Sequence, residues 1–285
     1  MFSIFDALGP HIPPIKIIDV GALDAGPEHV VYRALLGPGR SSVVGFEPDE
    51  AERAKLNAAA PSGHLFLPHA IGDGRKAMFR QCSQPMASSL FEPNTALLDK
   101  FQAVGEATRV VSTREIGTRR LDDVPEAAGA DFLKLDIQGA ELMAIEGASR
   151  ILEGVAVVHT EIEFVPMYLD QPLFADIDRA LRAHGFLFHR FASLASRALK
   201  PIALNDDANA PISQVLWGDA VYAKSFMAFD TLPLALLFKL AAIAHEVYRS
   251  IDLAHHALER HDARAGTGHA ANYLARLMGK ALKAS

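Results

Sequence analysis

One cysteine, Cys82, among 285 residues excludes a disulfide framework and fits a reducing, cytoplasmic setting. No Gly-x-Ser-x-Gly turn exists, so a serine hydrolase built on a nucleophile elbow is poorly supported. Long apolar runs are also missing. The longest, Leu232 to Ala244, is interrupted by Lys239 and is too short to span a bilayer. Met1 to Pro14 lacks the basic start and apolar run of a signal peptide, and none is expected. Positive charge is scarce: 28 basic against 34 acidic residues give −6, which argues against nucleic acid held on a broad basic face. The twelve histidines form no recognisable metal motif. His245-Glu246-Val247-Tyr248-Arg249 carries arginine where a helical zinc site needs its second histidine. His255, His256 and His261 have no partnering cysteine and are expected on solvated helix positions, so no metal is assigned.

What is present is globular: 50% of residues are hydrophobic and 22% charged, in a chain long enough for one large α/β domain and an appendage. Ile17-Ile18-Asp19-Val20-Gly21-Ala22 reads as a buried strand ending in an acid and a glycine turn. Val43-Val44-Gly45-Phe46-Glu47-Pro48 is a second strand with an acidic tip. Glu47 follows Gly26 by 47 − 26 = 21 residues, close to the spacing of a ribose-binding acid. The turn lacks the glycines that seat a pyrophosphate, and Asp24 within it would repel one. A phosphate-free, cationic nucleoside fits better, and S-adenosylmethionine is such a molecule. NAD is the weaker candidate.

Strands are expected at 15–20, 42–47, 64–71, 131–137, 155–164, 186–191 and 214–223, with helices at 27–36, 49–59, 140–152 and 173–184. The alternation implies a mostly parallel sheet covered on both faces, with the last two strands antiparallel at one edge. We divide the chain into 1–230, with 75–120 as an insertion able to cover the site, and a helical extension over 231–285. The extension holds 7 basic and 4 acidic residues, a net of +3. Its stripe Leu236, Leu240, Ile243, Val247, Ile251, Ala254, Leu258 predicts one long helix. A shorter helix over 269–283 follows, with Leu274, Leu277 and Met278 on its apolar side. These faces predict packing on the domain or a homodimer through the extension.

Lys134 and Asp136 share one face of an otherwise apolar strand, which is costly unless they are paired or bind a ligand. Asp136 lies at the strand tip, where open α/β sheets bind ligands. Glu141 falls in the first turn of the next helix, a favourable position for an acid on structural grounds alone. His159, Glu161 and Glu163 project from one face of their strand, either an exposed edge or a pocket wall.

These residues resemble the FkbM-type methyltransferases. The resemblance runs from Asp19-Val20-Gly21-Ala22, Gly45-Phe46-Glu47-Pro48, Ala70-Ile71-Gly72-Asp73 and Leu121-Asp122 through Leu133-Lys134-Leu135-Asp136-Ile137-Gln138-Gly139-Ala140-Glu141 to Glu161-Ile162-Glu163-Phe164 and Gln171-Pro172-Leu173-Phe174. It implies an α/β, Rossmann-like, seven-stranded class I methyltransferase sheet, S-adenosyl-L-methionine as cofactor, and O-methylation of a hydroxylated small molecule such as a sugar or polyketide. It also implies Asp19, Gly21 and Ala22 beside the methionine end, Glu47 and Pro48 at the ribose, and Ala70 and Ile71 near the adenine. Asp136 and Glu161 are the candidate bases, with Lys134 expected to pair with one of them and keep the other's charge placed. A nicotinamide-dependent oxidoreductase and a non-catalytic interaction module are the competing readings.

Overall fold

Apolar runs bounded by acids, glycines and prolines form the central strands, and the computed structural model describes residues 2–23, 26 and 30–279. In chain order the elements are α1 (Ile4–Leu8), β1 (Ile15–Val20), β2 (Ser41–Phe46), α2 (Glu50–Ala59), β3 (His64–Leu67), β4 (Ala70–Ile71), β5 (Lys76–Cys82), α3 (Thr95–Leu98), α4 (Val104–Ala107) and β6 (Val110–Arg119). There follow β7 (Phe132–Leu135), α5 (Glu141–Glu146), α6 (Ser149–Gly154), β8 (Val157–Glu163), α7 (Phe174–Ala183), β9 (Phe186–Arg197), β10 (Gln214–Lys224), α8 (Leu234–Glu246), α9 (Ile251–Ala265) and α10 (His269–Leu277). Seven strands make one sheet in the order β3-β2-β1-β7-β8-β10-β9. It is parallel except for β10, which runs antiparallel to both neighbours, as the short connection between the last two strands implies.

One face is covered by α5, α6 and α7, which bury Ile145, Leu152, Ile177 and Leu181 against Ile18, Leu133 and Val158. On the other, Ile15, Ile17, Phe132 and Val157 share a core with Leu8 of α1, Leu237 and Leu240 of α8, Leu258 of α9 and Tyr273 of α10. The extension therefore completes a core that begins in the sheet. Within the stripe, Leu236, Leu240, Ile243, Ala254 and Leu258 are buried against the chain's own domain.

Several local expectations differ from the structure. The stripe lies on two helices, because the chain breaks between Val247 and Ser250, with Arg249 at φ +54° and Tyr248 turned inward. The 140–152 segment is likewise two helices, α5 and α6. The 64–71 strand divides after Leu67, where Pro68 has no amide to donate; Ala70–Ile71 joins a separate sheet of order β4-β6-β5. Its other two strands, β5 and β6, come from the insertion. Of the 27–36 helix, residues 27–29 lie outside the described residues, and the rest holds only a 3-10 turn at Arg33–Leu35. Asp24 and the end of the 269–283 helix also lie outside them. In α10 the buried side chains are Ala270 and Tyr273, whereas Leu274 and Met278 are exposed.

The motif that fails as a zinc site is a clamp. His245, fully buried, meets the Tyr273 hydroxyl at 2.7 Å and the Phe2 carbonyl at 2.9 Å. Glu246 accepts from Ser3 Oγ and the Ile4 amide, both at 2.6 Å. A second tie joins Lys239 Nζ of α8 to both oxygens of buried Asp131, at 2.9 and 2.8 Å, and Asp131 also accepts from the Lys16 amide. Removing the lysine strands a buried carboxylate. Lys239→Met should destabilise the chain by about 3 kcal/mol in denaturant unfolding, the lower end for such a pair because the amide bond survives.

Candidate active site

The strand tips converge because register aligns them. Asp19 of β1 pairs with Lys134 of β7, which pairs with His159 of β8, and Glu161 pairs with Asp219 of β10. Period-2 alternation turns these side chains to one face, above the apolar positions that α8 covers. Lys134 Nζ lies 3.1 Å from Asp19 and 3.4 Å from Asp136, and donates to the Gly21 carbonyl at 3.2 Å. Burial works against its charge, yet the two carboxylates hold its pKa above the ordinary lysine value.

Asp19 is 7% exposed. Its Oδ2 accepts from the Tyr32 hydroxyl at 2.7 Å. Its Oδ1, although near Lys134, has no hydrogen-bond donor among the described residues. Burial, and then Asp19, push the Tyr32 hydroxyl upward, so it remains a donor. Gly21 at φ +81° brings the turn against the Asp136 carbonyl, where an added Cβ would collide. This glycine is what allows the β1 and β7 tips to touch.

The turn from Asp136 to Glu141 is held by its own polar atoms. Buried Glu141 accepts from the Ile137 amide at 2.7 Å and the Gly139 amide at 2.9 Å, so it is an anchor of the turn. Gln138, at φ +54°, donates to Asp136 at 3.2 Å and to Glu161 at 2.5 Å. Glu161 is thus oriented by an amide side chain toward Asp136. Burial first, then the carboxylates of Asp136 and Glu163, push its pKa well above the usual range. Burial, followed by Glu141, does the same to Glu163. His159 meets the Tyr248 hydroxyl at 3.0 Å and lies 3.6 Å from Asp219. The edge-face alternative for this strand is excluded, since all of His159, Glu161 and Glu163 are buried.

Glu47 stands at the tip of β2, next to β1, with Oε1 accepting from the Asp49 amide at 2.7 Å. Burial raises it to about 7 despite that bond. The Ala22 amide bonds to Phe46 O, tying the turn to β2, and Pro48 leads into Asp49, the N-cap of α2. Ala70 is half-buried; the Ile71 side chain packs in the core with Phe46. Asp19, Gly21, Lys134, Asp136 and Glu161 therefore form one connected network. Glu47 and Pro48 adjoin it one strand away, and Ala70 and Ile71 lie in the small sheet, paired with Thr118 and Arg119.

Tyr32, Gln138, Tyr168, Asp219 and Tyr248 also belong to the site, although the sequence reading did not assign them to it. The Tyr168 hydroxyl donates to the Ala87 carbonyl at 2.9 Å, and Ser89 Oγ donates to Gln138 O at 2.6 Å. The insertion thus reaches the site through residues 87–89. Only the polar segment Ala87-Ser88-Ser89, in an otherwise β-rich region, signalled this. Tyr248 lay within an apparent helical stripe and gave no signal. Asp122 caps the start of α6, accepting from Ile151 N at 3.0 Å, a structural role. Cys82 is a free, buried thiol.

Among the described residues no helix is long and apolar enough to cross a membrane. No curated protein sequence matches the chain. Solved structures with a similar arrangement include magnesium protoporphyrin IX methyltransferase from Synechocystis PCC 6803 with bound SAM. It is 11% identical, with 78% of this chain and 76% of that one covered and a TM-score of 0.40. A precorrin-6y C5,15-methyltransferase from Geobacter metallireducens GS-15 is 13% identical over 75% of this chain and 82% of that one, with a TM-score of 0.37. The N-terminal domain of EvdMO1, determined in the presence of SAH and D-fucose, is 9% identical over 78% and 80%, with a TM-score of 0.35. The model of the methyltransferase FkbM domain matches residues 19–188, more than half the chain and all of the acidic strand tips. The chain belongs to the FkbM methyltransferase family.

Proposed function

We propose that this methyltransferase uses S-adenosyl-L-methionine to methylate a hydroxyl oxygen on a small molecule, a sugar or another natural-product acceptor. The supporting observation is an excess of acid: Asp19 and Asp136 share Lys134, the carboxyls of Asp136, Glu163, Glu141 and Asp219 surround Glu161, and one buried oxygen of Asp19 faces Lys134 without a hydrogen bond. Such a site favours a cation and repels phosphate. When bound, the cofactor supplies an electrophilic methyl group on a cationic sulfur.

The chain's own residues divide the remaining work. Asp19 offers the oxygen that faces Lys134 to an ammonium group, and Glu47 offers two acceptor oxygens to a ribose diol. Ala70 and Ile71 border the adenine side. Asp136, partly exposed at 41% of its side chain, takes the acceptor's hydroxyl proton, with Glu161 as the alternative base. Lys134 keeps the Asp19 and Asp136 charges in place. The segment around Ser89 edges the acceptor side, so acceptor choice is assigned to the 75–120 insertion.

Titration with S-adenosylmethionine should show binding, whereas NADH should not bind. Glu47→Ala should weaken cofactor binding by about 1.5–3 kcal/mol, the range of a hydrogen bond to a charged group; unchanged affinity would remove Glu47 from the site. Asp136→Asn should lower methyl transfer by on the order of 10²–10⁴-fold, measured with hydroxylated acceptors. If only Glu161→Gln has that effect, Glu161 is the base.

A pH dependence follows from the raised carboxyls. Glu141 and Glu47 rise from 4.5 to about 7, so the folded chain retains protons that the unfolded chain has released. The stability this provides to the ligand-free protein is present below about pH 4.5 and is lost as pH rises to about 7. A bound cation offsets the repulsion that develops. Thermal stabilisation by S-adenosylmethionine should therefore grow from about pH 5 to about pH 8. A ligand shift independent of pH would mean that these acids do not face its charge.

A further inference from the structure

Away from the strand tips, three imidazoles meet around one carboxylate. His261 and Asp262 lie near the end of α9, His269 opens α10, and His11 comes from the turn that precedes β1. One ligand atom from each of His261, Asp262 and His269 lies within 4.8 Å of the others. The His11 and His269 rings are 4.7 Å apart between centroids, and those of His261 and His269 are 5.7 Å apart. Phe238 closes one side, 4.0 Å from the His261 ring and 5.1 Å from that of His269. His261 is 5% exposed, which corrects the expectation of a solvated helix position.

Asp262 alone has an ordinary explanation. It accepts from Thr267 Oγ1 at 2.5 Å and from the Ala270 amide at 2.7 Å, and so fixes the corner between the two helices. That role does not account for the histidines. Three imidazoles facing one fixed carboxylate form a nitrogen-rich donor set with one oxygen. Such a set suits a zinc-class cation and does not suit magnesium or calcium, which prefer oxygen ligands.

We propose that His261, Asp262 and His269, with His11 as fourth ligand, bind one divalent transition-metal ion of the zinc class. Two metal–ligand bonds of about 2.1 Å span at most about 4.2 Å, so the three closer groups draw in by a fraction of an ångström each. His11, whose ring is exposed, completes the set by rotation. The ion would join the N-terminal segment to the α9–α10 corner, complementing the clamp of His245 and Glu246. It would act on stability and stay outside the methyl-transfer chemistry.

The test uses the full chain, stripped with a chelator and titrated with zinc chloride by calorimetry, with magnesium chloride as control. One zinc per chain should bind, and the melting temperature should rise with zinc concentration. The His261→Gln/His269→Gln variant should bind zinc at least about tenfold more weakly, a loss of at least about 1.4 kcal/mol. His256→Gln should not change binding. Should the double variant fail to fold, judged by circular dichroism in chelator, His11→Gln decides, and it should show the same direction of loss. No zinc uptake by the native chain, or uptake unaltered by these substitutions (an adventitious ion only), would overturn the site. Retained binding of S-adenosylmethionine by the zinc-free protein separates this result from the fate of the methyltransferase reading.

Discussion

Lys134 stands against a group of carboxylates that the sheet itself brings together, and the geometry of the strand tips depends on that arrangement. A lysine buried to this degree survives only when paired, and Asp19 and Asp136 each lie within 3.4 Å of it. The lysine also donates to the Gly21 carbonyl, so one side chain ties the β1 turn to the β7 tip. Gly21 allows the contact, and Glu141 caps the following turn with both oxygens. Burial, followed by the neighbouring carboxylates, pushes the pKa values of the remaining acids, Glu161 and Glu163, well above the usual range. Each acid disfavours a further negative charge beside it, and that gives the arrangement a reason to accept a cation.

The same sheet face has two characters along its length. Toward the start of the strands it is apolar, and α8 covers Ile17, Phe132 and Val157. Toward their tips it becomes polar at Asp19, Lys134 and His159, in matching register. Tyr248 stands at the boundary, its ring stacked on His159 and its hydroxyl within 3.0 Å of Nδ1. The break between α8 and α9 is what brings Tyr248 inward. A single uninterrupted helix through residues 236–258 would have continued the apolar stripe without this polar contact.

Strand identity and the acidic tips were legible because they depend on short-range patterns: apolar runs, glycine turns, and acids at the ends of both. The pairing of Lys134 with Asp136 followed from charged residues placed in otherwise buried strands, whereas its shorter contact with Asp19 comes from the pairing of β1 with β7. Helix breaks were less legible. The 236–258 stripe steps by three and four throughout, yet Arg249 adopts a left-handed conformation because Tyr248 and Ser250 gain partners in His159 and His189. Those partners lie 89 and 61 residues away, beyond the reach of any local periodicity. His261 was misread for the same reason: its environment is made by Phe238 and His269, from the helices on either side.

The identity of the methyl donor turns on Asp19 more than on the glycine turn. Its Oδ2 is taken by Tyr32, which burial and the adjacent carboxylate keep protonated, so that oxygen is already a fixed acceptor. Oδ1 is left facing Lys134 without hydrogen-bond geometry. A pyrophosphate brought here would add negative charge beside Asp19 and Asp136, which already share the single positive charge of Lys134. An ammonium instead supplies the missing donor and lowers the repulsion among the acids in one step. The electrostatic terms therefore act in the same direction as the hydrogen-bond deficit, and both favour a phosphate-free, positively charged cofactor.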